Sequence, residues 1–402
     1  MRSIQQSFAV QFNYGIYFTE DIFEQENAML RDVVQQSSHA PAKVFFVIDS
    51  GVAESHPFLL QSILNYTTTH ADAMTLAAKP LIIPGGEACK NNPEVLQQVL
   101  ESINQYGICR HSYLVAIGGG AVLDLAGFAA AIAHRGIRLI RIPTTVLSQN
   151  DSGVGVKNSM NAFGKKNFLG TFAPPVAVIN DSNFLLTLDE RDWRSGISEA
   201  IKVALIKDAS FYHSIKADAS LLKQRDMRAM NRLIHRCAEM HVEHIGGGDP
   251  FEFGSSRPLD FGHWAAHKLE QLSNYSLRHG EAVAIGIALD IVYARLSGML
   301  SAEACNDILN LLHKLGFDIY TEHLSTIENG QLSILRGLTE FREHLGGQLT
   351  IMLLDEIGHG VEVHQINETI VTEAVKVLQQ KQHQLSSNIL SESKETELVV
   401  PL

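Results

Sequence analysis

The first half of the chain alternates short apolar runs with amphipathic stretches, and the second half does not. Residues 43–49 (KVFFVID) read as a buried strand ending on an acid, and residues 80–84 (PLIIP), 112–117 (SYLVAI) and 138–142 (RLIRI) read as further strands. Residues 92–107 carry apolar positions at helical spacing, and residues 122–133 form a second helical stretch. Strand and helix in alternation predict a parallel sheet with covering helices. From about residue 190 the period becomes helical throughout, over 196–207, 226–243, 261–272, 281–296 and 302–314. The expected organisation is an α/β domain over 1–188, a mostly α-helical domain over 189–380, and a polar, serine-rich, solvated tail over 381–402.

A length of 402 residues fits two domains, and 45% hydrophobic residues suffice for both cores. No uncharged apolar run reaches the roughly 18 residues of a membrane span, and the first ten residues lack the basic-then-apolar layout of a secretory signal. A net charge of -12 excludes nucleic acid as the main partner, but leaves small anionic ligands open. Cys89, Cys109, Cys237 and Cys305 are far apart with no CxxC spacing, which reads as reduced thiols in a cytoplasmic protein.

Three features carry chemistry. Gly118-Gly119-Gly120 follows a strand and opens a helix, where backbone N–H groups and the helix N-terminus suit a pyrophosphate. Asp124, one turn on, suits a ribose or an amide, and Asp49 suits an adenosine ribose, although a tight turn without ligand also fits the glycines. The run from 143 to 170 is dense in hydroxyls and amides and holds Lys157, Lys165 and Lys166, which suits a phosphate or polyol in a long loop. His263 and His267 form an HxxxH pair on one helical face, without the glutamate of HExxH. Glu199, His263 and His279 are candidate metal ligands, since one carboxylate and two imidazoles leave an open position on zinc; spacing alone does not select them.

Taken together, the motifs GEACK (86–90), GGGAVLDLAGFAAA with His134-Arg135-Gly136, IPTTVLSQNDSGVGVKNSMN, GKKNFLG, SGISEAIK, DFGHWAAHKLE and RHGEAVAIG resemble the 3-dehydroquinate synthase group of sugar phosphate cyclases, in that family's order and spacing, over about 80–290. The resemblance implies an N-terminal NAD-binding α/β domain, a C-terminal α-helical domain and a homodimer. It implies NAD contacts at Asp49, Glu87, Lys90, Gly119, Gly120, Asp124, Thr144, Thr145 and Thr187. It implies a divalent metal, zinc or cobalt, on Glu199, His263 and His279. Asp151, Lys157, Lys202 and His267 match catalytic positions, and Lys166 and Asn167 match substrate positions. Arg135 matches an arginine that reaches the phosphate from the neighbouring subunit. The implied reaction is a carbon–oxygen lyase cyclisation: transient oxidation by NAD, β-elimination of phosphate, return of the hydride and an intramolecular aldol. It needs no protein nucleophile.

The departures cluster where that family holds a substrate carboxylate. His241 stands in place of a lysine, Arg257 is only an approximate partner for an arginine, and Asp260 replaces an asparagine. Two unit charges about 5 Å apart at an effective dielectric of about 20 repel by roughly 3 kcal/mol, so Asp260 argues against a carboxylate ligand. A polyol would use the same aspartate as an acceptor. Residues 340–347 (EFREHLGG) resemble the C7-cyclitol synthases of the 2-epi-5-epi-valiolone type, with Arg342 on phosphate and His344 on the polyol. The dehydroquinate-synthase-like proteins of the ebo gene clusters are a further resemblance. The expected substrate is a heptulose 7-phosphate. The alternatives are 3-dehydroquinate synthase itself, a polyol dehydrogenase of the glycerol dehydrogenase type, and a non-catalytic binding protein on the same fold.

Overall fold

The computed structural model describes residues 3–36, 41–248, 250–251, 258–344 and 347–397. The chain divides into two compact units, Met1–Thr187 and Leu188–Leu402.

The first unit is built on strands β1 (Gly15–Thr19), β2 (Ala42–Asp49), β3 (Met74–Leu76), β4 (Leu81–Ile83), β5 (Tyr113–Gly118), β6 (Arg138–Pro143), β7 (Lys157–Ala162), β8 (Lys165–Phe172) and β9 (Ala177–Asp181). Its helices are α1 (Met29–Gln36), α2 (Ser50–Ser55), α3 (Leu59–Thr69), α4 (Pro93–Gln105) and α5 (Gly120–Ile132). Seven strands form one sheet in the order β1-β9-β6-β5-β2-β3, with β4 also paired to β2, and every pairing is parallel. Such strands are buried on both faces, which explains their unbroken apolar runs. Val44, Phe46 and Ile48 of β2 pack with α1 and α3, while Phe45 and Val47 pack with α4 and α5.

The chain leaves β2 toward β3 and leaves β5 toward β6, on opposite sides of the β2–β5 pair. That divergence opens a crevice beyond the carboxyl ends of the two strands, the usual ligand position in a sheet of this kind. Register aligns Ile48 with Ile117 and Gly118 with Pro143, so Asp49, Gly118 and Pro143 end their strands at one level. The stretch 143–170, read as one long loop, contains the antiparallel hairpin β7–β8. Its strands are mostly polar, and β8 is largely exposed, so no apolar alternation marks them.

The second unit is mostly helical: α6 (Glu190–Lys207), α7 (Ala209–Lys223), α8 (Met227–Gly246), α9 (His263–Leu272), α10 (His279–Leu296), α11 (Ala302–Lys314), α12 (Arg336–His344) and α13 (Glu368–Glu397). Two small hairpins complete it, β10 (Ile327–Glu328) with β11 (Gln331–Leu332) and β12 (Ile351–Glu356) with β13 (His359–Val363). Helix α10 is buried along almost its whole length and packs against α6, α9, α11 and α13. Two glycines allow its closest approaches. A Cβ on Gly280 would lie 2.1 Å from the Ser195 carbonyl oxygen, and one on Gly286 would lie 2.0 Å from that of Gly262. The polar segment from 381 continues α13 as helix up to Glu397, and residues 381–387 are half-buried or exposed. Val371, Ala374, Val375 and Leu378 are buried at helical spacing, and this anchored turn lets the helix propagate. No helix among the described residues is long and apolar enough to cross a membrane. All four cysteines are free, and only Cys109 is exposed.

Candidate active site

In the first unit, the glycine turn leaves the N-terminus of α5 open. Its cap residue, Gly119, offers no side-chain hydrogen bond, so the first N–H groups of α5 remain available to an anion. Side chains would fill this space. A Cβ on Gly120 would lie 2.5 Å from Ser152 Oγ, and one on Gly85 would lie 2.3 Å from the Asp49 carboxylate. Asp49 caps α2 by accepting from Gly51 N. Thr144 Oγ1 and Ser152 Oγ are buried without a hydrogen-bond partner among the described residues. Buried hydroxyls of that kind fit a polar ligand.

One turn into α5, Asp124 pairs with the buried Lys90 at 2.6 Å. Lys90 Nζ also donates to Asn167 Oδ1 at 2.5 Å and to Ser159 Oγ at 3.0 Å. Glu87 accepts from Asn161 and lies 4.0 Å from Lys166. Lys90, Asp124, Asn167, Glu87 and Lys166 therefore form one connected polar cluster. Thr145 bonds Ser148, and Thr187 bonds His56 at 2.9 Å. Asp151 lies half-buried in the π-turn Ser148–Ser152, while Lys157 is exposed at the start of β7. Arg135 is exposed just past the other end of α5, about 20 Å along the helix from Gly120, and does not join this cluster.

No motif in the sequence marks Arg141. It is wholly buried, and its guanidinium donates to the carbonyls of Gly153, Gly155 and Lys157 and to Asn158 Oδ1, at 2.6–3.0 Å. Tyr14 holds the Val154 carbonyl at 3.0 Å. Together they fix the segment between Asp151 and Lys157.

In the second unit, Glu199, His263 and His279 come together from three helices, with ligand atoms all within 4.8 Å of one another. Glu199 is fully buried on α6. Its Oε1 lies 3.4 Å from His279 Nε2 and 3.6 Å from His263 Nε2. These spacings approach the edge of a tetrahedron with bonds of about 2.0–2.1 Å, roughly 3.3 Å. Both imidazoles have their other nitrogen engaged. His263 Nδ1 is 3.0 Å from the Phe261 carbonyl, and His279 Nδ1 is 3.1 Å from Glu270 Oε2. A carbonyl and a carboxylate only accept, so each Nδ1 carries the proton and each Nε2 presents a lone pair.

Lys202, one turn along α6, contacts the Glu199 carboxylate. Burial alone would raise the Glu199 carboxyl, but Lys202 and the two imidazoles override it and hold the group well below the ordinary carboxylate value. Burial, then Lys202, lower His263 and favour the neutral ring that metal binding requires. Neither Glu199 oxygen accepts a hydrogen bond of ordinary geometry. A buried carboxylate facing two imidazole lone pairs fits a divalent cation.

His267, Glu270 and His279 form a second such group. His263, His267 and Glu270 follow i, i+4, i+7 on α9 and share a face. Glu270 is 4% exposed and was not singled out from the sequence, although that spacing marks it. Asp260 ends a short 3-10 turn before α9, and its charge acts on His263. His241 is half-buried on α8, and Arg342 is exposed on α12. Arg257 and the side chain of His344 lie outside the described residues.

Family profiles for the 3-dehydroquinate synthase N-terminal and C-terminal domains match residues 80–195 and 196–333. The 3-dehydroquinate synthase of Nitrosospira multiformis is 34% identical over 301 residues, 75% of this chain and 80% of that protein. The chain belongs to the 3-dehydroquinate synthase family. The Coxiella burnetii 3-dehydroquinate synthase is 31% identical and matches 88% of this chain and 93% of its own length. Among solved structures, the 2-epi-5-epi-valiolone synthase of Streptomyces hygroscopicus subsp. jinggangensis superposes with a TM-score of 0.82 at 27% identity. That match covers 94% of this chain and 100% of the synthase, which was solved with NAD+ and Zn2+ bound. A 2-deoxy-scyllo-inosose synthase shares the fold at a TM-score of 0.72 and 23% identity, covering 90% of this chain and 96% of its own. The family member described here is thus an enzyme of the dehydroquinate-synthase-like cyclases, with the α/β and helical halves of that fold.

Proposed function

We propose that this enzyme is an NAD- and divalent-metal-dependent carbon–oxygen lyase that closes a carboxylate-free sugar phosphate, a heptulose 7-phosphate, into a carbocycle with release of phosphate. The observation that carries the substrate choice is Asp260, which ends the 3-10 turn three residues before the candidate metal ligand His263, where the dehydroquinate enzymes carry an asparagine. A substrate carboxylate brought to this pocket meets like charge, whereas a polyol finds an acceptor.

Glu199, His263 and His279 hold the metal, zinc or cobalt. Asp49, the open end of α5, Glu87, Lys90, Asp124, Thr144, Thr145 and Thr187 hold the dinucleotide. When bound, the dinucleotide accepts and returns a hydride and the metal supplies Lewis acidity. The chain's own groups do the rest. Lys166 and Asn167 of the first unit bind substrate, Arg342 of the second unit binds phosphate, and Arg135 serves the phosphate from a partner subunit in a homodimer. Its separation from its own subunit's polar cluster supports that assignment. His241, Arg257, Asp260 and His344 select the polyol. His267 takes and returns a proton at an imidazole nitrogen, with Asp151, Lys157 and Lys202 as the other catalytic residues. The free, mostly buried thiols suit a reducing cytoplasm.

The relatives named 3-dehydroquinate synthase support a second reading, turnover of a keto-acid heptulosonate phosphate. Phosphate release measured over sugar phosphates with and without a carboxylate separates the two. The proposal expects release from the heptulose phosphate, dependent on NAD and without net NADH. Preference for the keto acid overturns it in favour of the second reading, and stoichiometric NADH points to a dehydrogenase.

A further inference from the structure

The residue before His263 is Gly262, held in the left-handed region at φ +76 and seated against α10. A Cβ there would lie 2.8 Å from the Ile287 backbone nitrogen, and one on Gly286 would lie 2.0 Å from the Gly262 carbonyl oxygen. One turn beyond Gly286, on the same face of α10, stands Asp290, which is 2% exposed. Its Oδ2 accepts from Gly262 N at 2.9 Å, and its Oδ1 accepts from Trp264 Nε1 at 2.8 Å. The two donors belong to the residues on either side of His263. No lysine or arginine pairs with Asp290 among the described residues.

A carboxylate buried without a cation is costly, and two leucine-sized side chains would pack such a site more cheaply. What the carboxylate provides is a two-point grip. One oxygen fixes the backbone entering His263 and the other fixes the indole leaving it. Helix α10 already begins with His279, eleven residues or about 16 Å before Asp290. One rigid helix therefore supplies one imidazole directly and grips the segment that supplies the other.

We infer that Asp290 is a positioning residue for the metal centre, setting where His263 Nε2 stands relative to His279 Nε2. The inference rests on the reading of Glu199, His263 and His279 as metal ligands. It differs from a core-packing role, which would support the stability of α9 without tuning coordination.

The test uses the full chain and Co2+ as the probe, with Asp290→Asn as the variant. An amide keeps the volume but offers one acceptor, so one of the two donors then faces an N–H. Co2+ affinity is measured by competition with a chromophoric chelator. Coordination is read from the visible d–d absorption of the bound ion, and folding from far-UV circular dichroism of the metal-free protein. The expected result is a folded variant whose Co2+ affinity falls about 10–100-fold, the usual effect of removing a group that orients a ligand, with an altered d–d band. Unchanged affinity and spectrum, even with a lower melting temperature, overturn the inference. If Asp290→Asn does not fold, Trp264→Phe removes one of the two donors and keeps most of the packing. A fall in affinity supports the grip, and unchanged binding overturns it. Wild type and His263→Ala binding Co2+ equally poorly would instead sink the metal reading, and this inference with it.

Discussion

Glu270 accepts a hydrogen bond from the Nδ1 of His279 at 3.1 Å, while the Nε2 of the same ring faces Glu199 at 3.4 Å. The buried carboxylate thereby fixes the tautomer and the plane of the ring. Glu270→Gln can still accept from Nδ1, but without the charge that makes the imidazole a stronger donor to a metal. Its affinity for Zn2+ should fall about 10-fold, and that of Glu270→Ala about 100-fold. Chelator competition on both variants checks the order; equal affinity in all three proteins rejects the role.

The two candidate metal groups, which share His279, make different demands on His267. With the ion on Glu199, His263 and His279, His263→Ala and His279→Ala should each leave the purified protein without stoichiometric metal. His267→Ala should keep the metal and lose turnover by about 100-fold or more, the usual scale of a lost proton-transfer group. Elemental analysis beside phosphate release decides it. Metal loss in the His267 variant would move the site to His267, Glu270 and His279.

Asp260 should accept hydrogen bonds from the polyol, each charged bond being worth about 1.5–3 kcal/mol. Asp260→Asn should therefore cut kcat/KM for heptulose 7-phosphate by at least 10-fold and admit a trace of the keto-acid phosphate. The comparison is kcat/KM for both substrates on both proteins. A variant that loses both activities equally has lost the site rather than its selectivity.

Burial pushes the Asp290 carboxyl up to about 7 from 3.8, against the hydrogen bonds from Trp264 and Gly262. The folded state therefore holds this proton more tightly than the unfolded chain. The contribution is fully present below about pH 4, declines as pH rises toward 7 and is flat above. Relative to Asp290→Asn, the wild type should lose on the order of 3 kcal/mol between pH 5 and pH 8. Urea unfolding of both metal-free proteins at pH 5 and pH 8 reads the difference; a pH-independent gap would show that Asp290 does not titrate there.

Strands β2, β5 and β6 were legible because a parallel strand covered on both faces must be apolar at every position. The hairpin β7–β8 was not, because Lys157, Asn158, Asn161, Lys165, Lys166 and Asn167 leave no alternation to read. The candidate metal triad is legible through family motifs rather than spacing, since its residues come from three helices, which approach one another closely at Gly280, Gly286 and Gly262. Arg141, Glu270 and Asp290 went unnoticed for a related reason. A buried polar side chain is explained by its partner, and the partners of Asp290 lie more than 25 residues away.

Arg141 has a consequence for how the first unit forms. Its guanidinium leaves water only when the carbonyls of Gly153, Gly155 and Lys157 have closed around it. Strand β6 therefore cannot take its buried place in the sheet while the 153–158 segment is open. Assembly of the sheet and closure of the loop become one cooperative event, and the amides of both should exchange with solvent at a common rate. A loop flanked by the candidate site residues Asp151 and Lys157 is thereby denied the independent local opening that surface loops usually have.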